Sequence, residues 1–151
     1  MVKNQKVKLL ITILGICLVL FFIYLINQHF DKGTIAINGN RIKIETATTP
    51  KQWAQGLSGR DSLAQNNGLL FIYPDYGYRS FWMKDMKFEI DIIWIAANEI
   101  VGIEKNVAIP QTVPIPTYQS PKPVNYVLEV NANYSDRHNL KVGDKIIFNL
   151  K

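Results

Sequence analysis

Apolar and polar positions follow three patterns in turn along the chain. From Leu9 to Ile26 no charge interrupts the Leu, Ile, Val and Phe, and only Thr12, Gly15, Cys17 and Tyr24 dilute them. A run of roughly 20 apolar residues matches a hydrocarbon core about 30 Å thick, and a helix there satisfies its own backbone. This pattern predicts one transmembrane helix over 9–26. Beyond it the apolar positions come in short alternating runs. Between Val107 and Pro123 they give way to a segment holding five of the seven prolines. Proline has no amide donor and favours an extended path, so a long loop is expected there.

The alternating runs predict strands. Thr34–Ile37 and Arg41–Glu45 flank Asn38-Gly39-Asn40, a hairpin signal, because the turn needs positive φ at its central residues. Thr49-Pro50-Lys51-Gln52 predicts a helix start with a capping box, ended by Gly56 or Gly59, and Trp53 and Leu57 share its core-facing side. Gly68–Tyr73 is apolar on both faces and reads as a buried strand. In Phe88–Ala96, Ile90, Ile92 and Trp94 share one face, and Glu89, Asp91, Ile93 and Ile95 the other. One apolar and one mixed face suit a central strand. Arg79–Met83, Ile100–Glu104, Val124–Val130 and Lys145–Leu150 complete the strands. Ala132–Asn139 predicts a second short helix, capped by Asn133 or Ser135. Regular crossover helices are missing, so the expected fold is α+β and mainly β. It is a small, curved, barrel-like, mostly antiparallel sheet with two short helices, behind one transmembrane helix.

Charge sets the orientation. Lys3, Lys6 and Lys8 precede the apolar run, and excess lysine marks the cytoplasmic side. The expected organisation is a cytoplasmic tail (1–8), an anchor (9–26), a linker (27–33) and an extracytoplasmic domain (34–151) at the plasma membrane. A cleaved leader has the same charge order, but its core is about 7–15 residues and ends at a small-x-small site. Here Phe21, Phe22, Tyr24 and Leu25 run to the end. Retention is therefore expected, with secretion after cleavage as the alternative. Net charge is +5, yet three of the seventeen Lys and Arg lie in the tail, leaving fourteen against twelve acids. That balance does not indicate nucleic acid. Cys17 is the only cysteine and the two histidines, His29 and His138, are far apart in sequence. No metal site and no cofactor are expected.

The ordered motifs Gly56-Leu57-Ser58-Gly59-Arg60, Gly68-Leu69-Leu70-Phe71, Phe81-Trp82-Met83-Lys84, Ile90-Asp91, Tyr118-Gln119-Ser120-Pro121, Tyr126-Val127-Leu128-Glu129 and Gly143-Asp144 carry a resemblance. From about Ile42 to Phe148 the chain resembles the domain of unknown function 192 family of bacteria and archaea. The resemblance implies fold and location, and no assigned reaction. After Phe-Trp-Met-Lys the family typically has Asn, where this chain has Asp85. Asn139 stands where the family's short helix usually stops at Gly.

Six residues are candidate ligand contacts: Arg60, Trp82, Lys84, Asp85, Asp91 and Tyr118. Asp91 lies on a partly apolar strand face, and a buried carboxylate must be paired, hydrogen-bonded or protonated. Its expected partner is Lys84 or Arg60, either beside a cleft or in an ion pair that fixes the sheet. Trp82 shares a face with Lys84 and is the tryptophan best placed to stack on a ligand. Tyr118 would anchor the proline-rich loop. Gly56-Leu57-Ser58-Gly59 lacks the nucleophile-elbow spacing, and no phosphate-binding glycine loop is present. The leading expectation is a membrane-anchored domain that binds a small ligand, an envelope polymer or a membrane protein. An envelope hydrolase using Asp91 with Lys84 or Asp85, and an accessory subunit of a membrane complex, are the alternatives.

Overall fold

A computed structural model describes residues 12–18, 31–111 and 113–150. Residues 12–18 are helical (α1). The rest of the predicted 9–26 span lies outside the described residues, among which no helix is long and apolar enough to cross a membrane.

The chain then forms β1 (Asp31–Ile37), β2 (Asn40–Ala47), α2 (Pro50–Gln55), β3 (Asn67–Gly77), β4 (Ser80–Trp82), β5 (Ile90–Ala96), β6 (Glu99–Val107), β7 (Thr117–Gln119), β8 (Val124–Asn131), α3 (Tyr134–Arg137) and β9 (Ile146–Leu150). Seven strands make one sheet in the order β6-β5-β8-β3-β2-β1-β9, and β4 and β7 form a separate two-stranded ribbon. Every neighbour in the large sheet is antiparallel except β2 and β3. Those two are joined through α2, the kind of crossover that a parallel pair requires.

The fold is mainly β, as expected, but the sheet is open rather than a closed barrel. Its edge strands β6 and β9 meet at one end only, in a Glu99–Lys145 bridge. Ile100 N donates to Asp144 O (3.0 Å), Gly143 N to Ile100 O (2.9 Å) and Ile146 N to Asn98 O (2.8 Å). β9 has five residues against nine in β6, too few to pair along its length. Tyr134 and Leu140, from α3 and its exit, complete the inner core.

Both sheet faces are buried. All seven strands contribute to the inner cluster, which includes Ile35, Ile42, Leu70, Ile93, Ile100, Leu128 and Ile146. The second cluster, on the opposite face, holds Leu69, Phe71, Ile92, Trp94 and Val127. It is covered by Leu57 after α2 and by Phe81 and Met83 at the ribbon. β5 lies between β6 and β8 and splits its side chains between the two clusters as its alternation predicted.

Candidate functional site

α2 is short and is fixed by its start. Thr49 and Gln52 form the expected capping box, with Pro50 in the first turn. The Trp53 Nε1–H donates to Ala47 O (2.9 Å), and the Trp53 ring lies 4.7 Å from that of Tyr73 on β3. Gly56 ends the helix at φ 50°, ψ −134°, a region that essentially only glycine occupies without strain. The chain then passes under the turn that follows β4. Ser58 Oγ donates to Lys84 O (2.8 Å), and Gly59 N donates to Asp85 O (2.8 Å). Two sequence motifs far apart along the chain are thereby tied together.

This tie forms a cleft between α2 and the β4–β7 ribbon. Its outer part is a groove of about 280 Å³ between Trp53, Tyr73, Phe81 and Trp82. Its inner end is a slot of about 20 Å³ bordered by Trp53, Phe71, Phe81, Trp82 and Glu129. Trp82 is 52% exposed, and Lys84 Nζ sits 5.6 Å from its ring. Arg79 covers Tyr73 at 4.0 Å, and burial pushes the Tyr73 hydroxyl up to about 12.

Glu129 is the chemical centre of the slot. It lies on β8 between Leu69 and Ile92 of the neighbouring strands, and its buried Oε2 has no hydrogen-bond partner. Burial pushes its carboxyl up to about 8, against the opposing pull of Arg60. The group is therefore largely a neutral acid at neutral pH, able to donate as well as accept. Arg60 itself pairs with Glu45 (Nη2 to Oε2, 2.8 Å).

The six sequence candidates fare differently. Trp82 borders the groove, and Lys84 reaches it only through its Nζ near the Trp82 ring. Arg60 acts on Glu129 by charge. Tyr118 pairs with Phe81 across the ribbon and packs on the second cluster. Asp85 adopts φ 55°, which explains why Asn or Asp suits this position: both tolerate the left-handed conformation. Asp91 is a correction. It is fully buried, and its partners are backbone amides rather than Lys84 or Arg60. Asn106 N (2.9 Å) and Asn133 N (3.2 Å) donate to Oδ1, and Ser135 N (2.8 Å) donates to Oδ2. Its oxygens are committed to structure, which removes the basis for acid–base work with Lys84 or Asp85.

Glu129 was missed because Val124–Val130 alternates, and an acid in an alternating strand normally faces solvent. Its signal was a carboxylate on the same strand face as Val127, in a strand with no other charge. The proline-rich segment also holds more order than expected. β7 lies within it, and Ser120 and Arg79 exchange two hydrogen bonds, Ser120 N to Arg79 O (2.9 Å) and Arg79 N to Ser120 Oγ (3.0 Å).

No curated protein matches the chain. Crystal structures that resemble it include two from bacteria. A Sinorhizobium meliloti 1021 protein, provisionally described as a transcription regulator, is 28% identical with a TM-score of 0.74, over 80% of this chain and 95% of that one. A protein of unknown function from Novosphingobium aromaticivorans DSM 12444 is 26% identical with a TM-score of 0.68, over 77% and 83%. The family model DUF192 (Uncharacterized ACR) matches residues 33–148, a span that contains every strand from β2 to β8, both walls of the cleft and Glu129. The chain belongs to the DUF192 family.

Proposed function

We propose that the protein is a single-pass, membrane-anchored, extracytoplasmic binding domain that takes a small ligand or a segment of an envelope polymer into the cleft between α2 and the β4–β7 ribbon. The observation that carries the binding site is Glu129. A buried carboxyl with an unpartnered oxygen costs stability unless something else uses it. Exposed Trp82 at the mouth supports the same site, since a large aromatic surface open to solvent suits stacking on a ligand. The charge-free run 9–26 behind three lysines supports the anchor and its orientation. Fourteen basic against twelve acidic residues beyond the tail give no electrostatic footprint for nucleic acid, so the description attached to the Sinorhizobium protein is not carried over.

The test titrates the full chain with soluble fragments released by digesting the cell envelope, while following the Trp82 indole resonance. Binding in the cleft predicts a saturable shift that Glu129→Gln weakens. A shift unaffected by that substitution, or no shift with any fraction, contradicts the site.

A further inference from the structure

We infer that the slot receives the ammonium group of a primary amine, with the Glu129 carboxylate as its counter-ion. The inference rests on the cleft being a binding site, as proposed above. Four aromatic rings, Trp53, Phe71, Phe81 and Trp82, border one carboxyl there. Aromatic rings attract cations through their quadrupoles, and two rings of the groove already hold cations, Arg79 on Tyr73 and Lys84 on Trp82.

Charge balance narrows the class. Arg60 and Glu45 compensate each other. The other charged or titratable groups nearby are Tyr73 on β3, Arg79 before β4 and Lys84 after it. Arg79 is paired with Asp75 at 2.8 Å. β5 presents Ile92, which carries no charge. Ionised Glu129 then places a charge inside the slot that Arg60, already engaged with Glu45, offsets only in part, and a ligand cation completes the balance. A neutral hydroxyl ligand offers no such compensation.

Size narrows it further. A cavity of about 20 Å³ holds one water-sized group. An ammonium fits and a trimethylammonium does not. The groove of about 280 Å³ shares Trp53, Phe81 and Trp82 with the slot and takes the rest of the molecule. The neutral acid must lose its proton to pair, so R–NH₃⁺ and Glu129–COOH give the ion pair and one proton released to solvent. Since the carboxyl titrates near 8, affinity rises with pH up to about that value.

The experiment uses the full chain with butylammonium, tetramethylammonium and 1-butanol, followed by the Trp82 indole resonance and by calorimetry in buffers of different ionisation enthalpy. Butylammonium alone should bind, releasing most of a proton near pH 7 and little near pH 9. Glu129→Gln should abolish the release and weaken binding roughly tenfold or more, the scale of a lost ion-paired hydrogen bond. Trp82→Ala, at an exposed position, should weaken binding several-fold while keeping the release. Nanodiscs bearing phosphatidylethanolamine, set against phosphatidylglycerol ones, separate a lipid headgroup amine from a diffusible one. Equal binding of butanol, binding without proton release, or no binding of either amine source overturns the inference. If the amines fail while envelope fragments still move Trp82, the ligand class falls and the cleft stands. If both fail, both fall.

Discussion

The Glu129 carboxyl is flanked by Leu69 and Ile92 on adjacent strands and is removed from water. Its value is raised from an ordinary 4.5 to about 8, because burial penalises the charged form. The folded state therefore holds this proton more tightly than the unfolded chain does. The contribution to stability is complete below about pH 4.5, declines as pH rises, and is gone above about pH 8. It amounts to something on the order of 5 kcal/mol. Glu129→Gln keeps the shape and removes the ionisation. Thermal melts should show the variant more stable than the parent near pH 9 and no more stable near pH 4. A parent whose stability is flat across this range would contradict the assignment. Gly56 gives a second prediction. A Cβ there would lie 3.3 Å from Phe71 Cζ and 3.8 Å from Glu129 Oε2, at φ 50°. Gly56→Ala should cost about 1–3 kcal/mol in denaturant unfolding through backbone strain, and should narrow the slot. At this scale the sequence told much about turns. Asn38 and Gly39 both take positive φ, and Asn139 takes φ 51° in place of glycine. It told little about Glu129, whose burial depends on which strands flank β8.

Among the elements, α3 shows how a local reading falls short. Asn133 precedes the helix in the left-handed conformation and makes no side-chain cap, and Ser135 lies inside the helix. The cap comes instead from Asp91 on β5, whose carboxylate takes the Asn133 and Ser135 amides and also holds Asn106 on β6. One side chain thus fixes two strands and a helix. Replacing it should be costly, since three backbone amides donate to its two oxygens and Asn offers one acceptor oxygen and a misplaced donor. Asp91→Asn should lower stability by about 2–4 kcal/mol, a drop of several degrees or more in melting temperature. Its Trp82 indole environment should remain native-like at temperatures where the variant is folded. The Gly143-Asp144 turn is the second such device. Gly143 sits at φ 97°, and Asp144 Oδ2 accepts from Asn38 Nδ2 (2.6 Å) and Lys141 N (2.9 Å). The pattern of hydrophobic positions located nearly every strand of the large sheet. The three-residue β7 escaped notice because Pro116 and Pro121 flank a segment with no periodicity long enough to read. Its order comes from pairing with β4, a contact remote in sequence.

On the scale of the whole molecule, an open sheet packed on both faces supports a cleft at one side and joins, at Asp31, the segment that leads back to the apolar run. The anchor proposal predicts that the full chain stays with membranes after a high-salt wash. It further predicts that externally added protease removes the domain from intact cells whose outer layers have been opened. Full recovery in the soluble fraction would contradict it. The fold class was legible because alternation over short runs excludes a helical protein. Incomplete closure was not, since it turns on the five-residue length of β9 and on α3 supplying Tyr134 and Leu140 to the core. Of the cleft's lining, only Trp82 was legible as a site residue. The central claim, a carboxylic acid held neutral at the end of an aromatic cleft for use by a ligand, is open to direct observation. Carbon-13 NMR of the Glu129 side-chain carboxyl across pH should show a midpoint near 8 in the free chain, falling when butylammonium is added. A midpoint near the ordinary 4.5, unmoved by the amine, would contradict it.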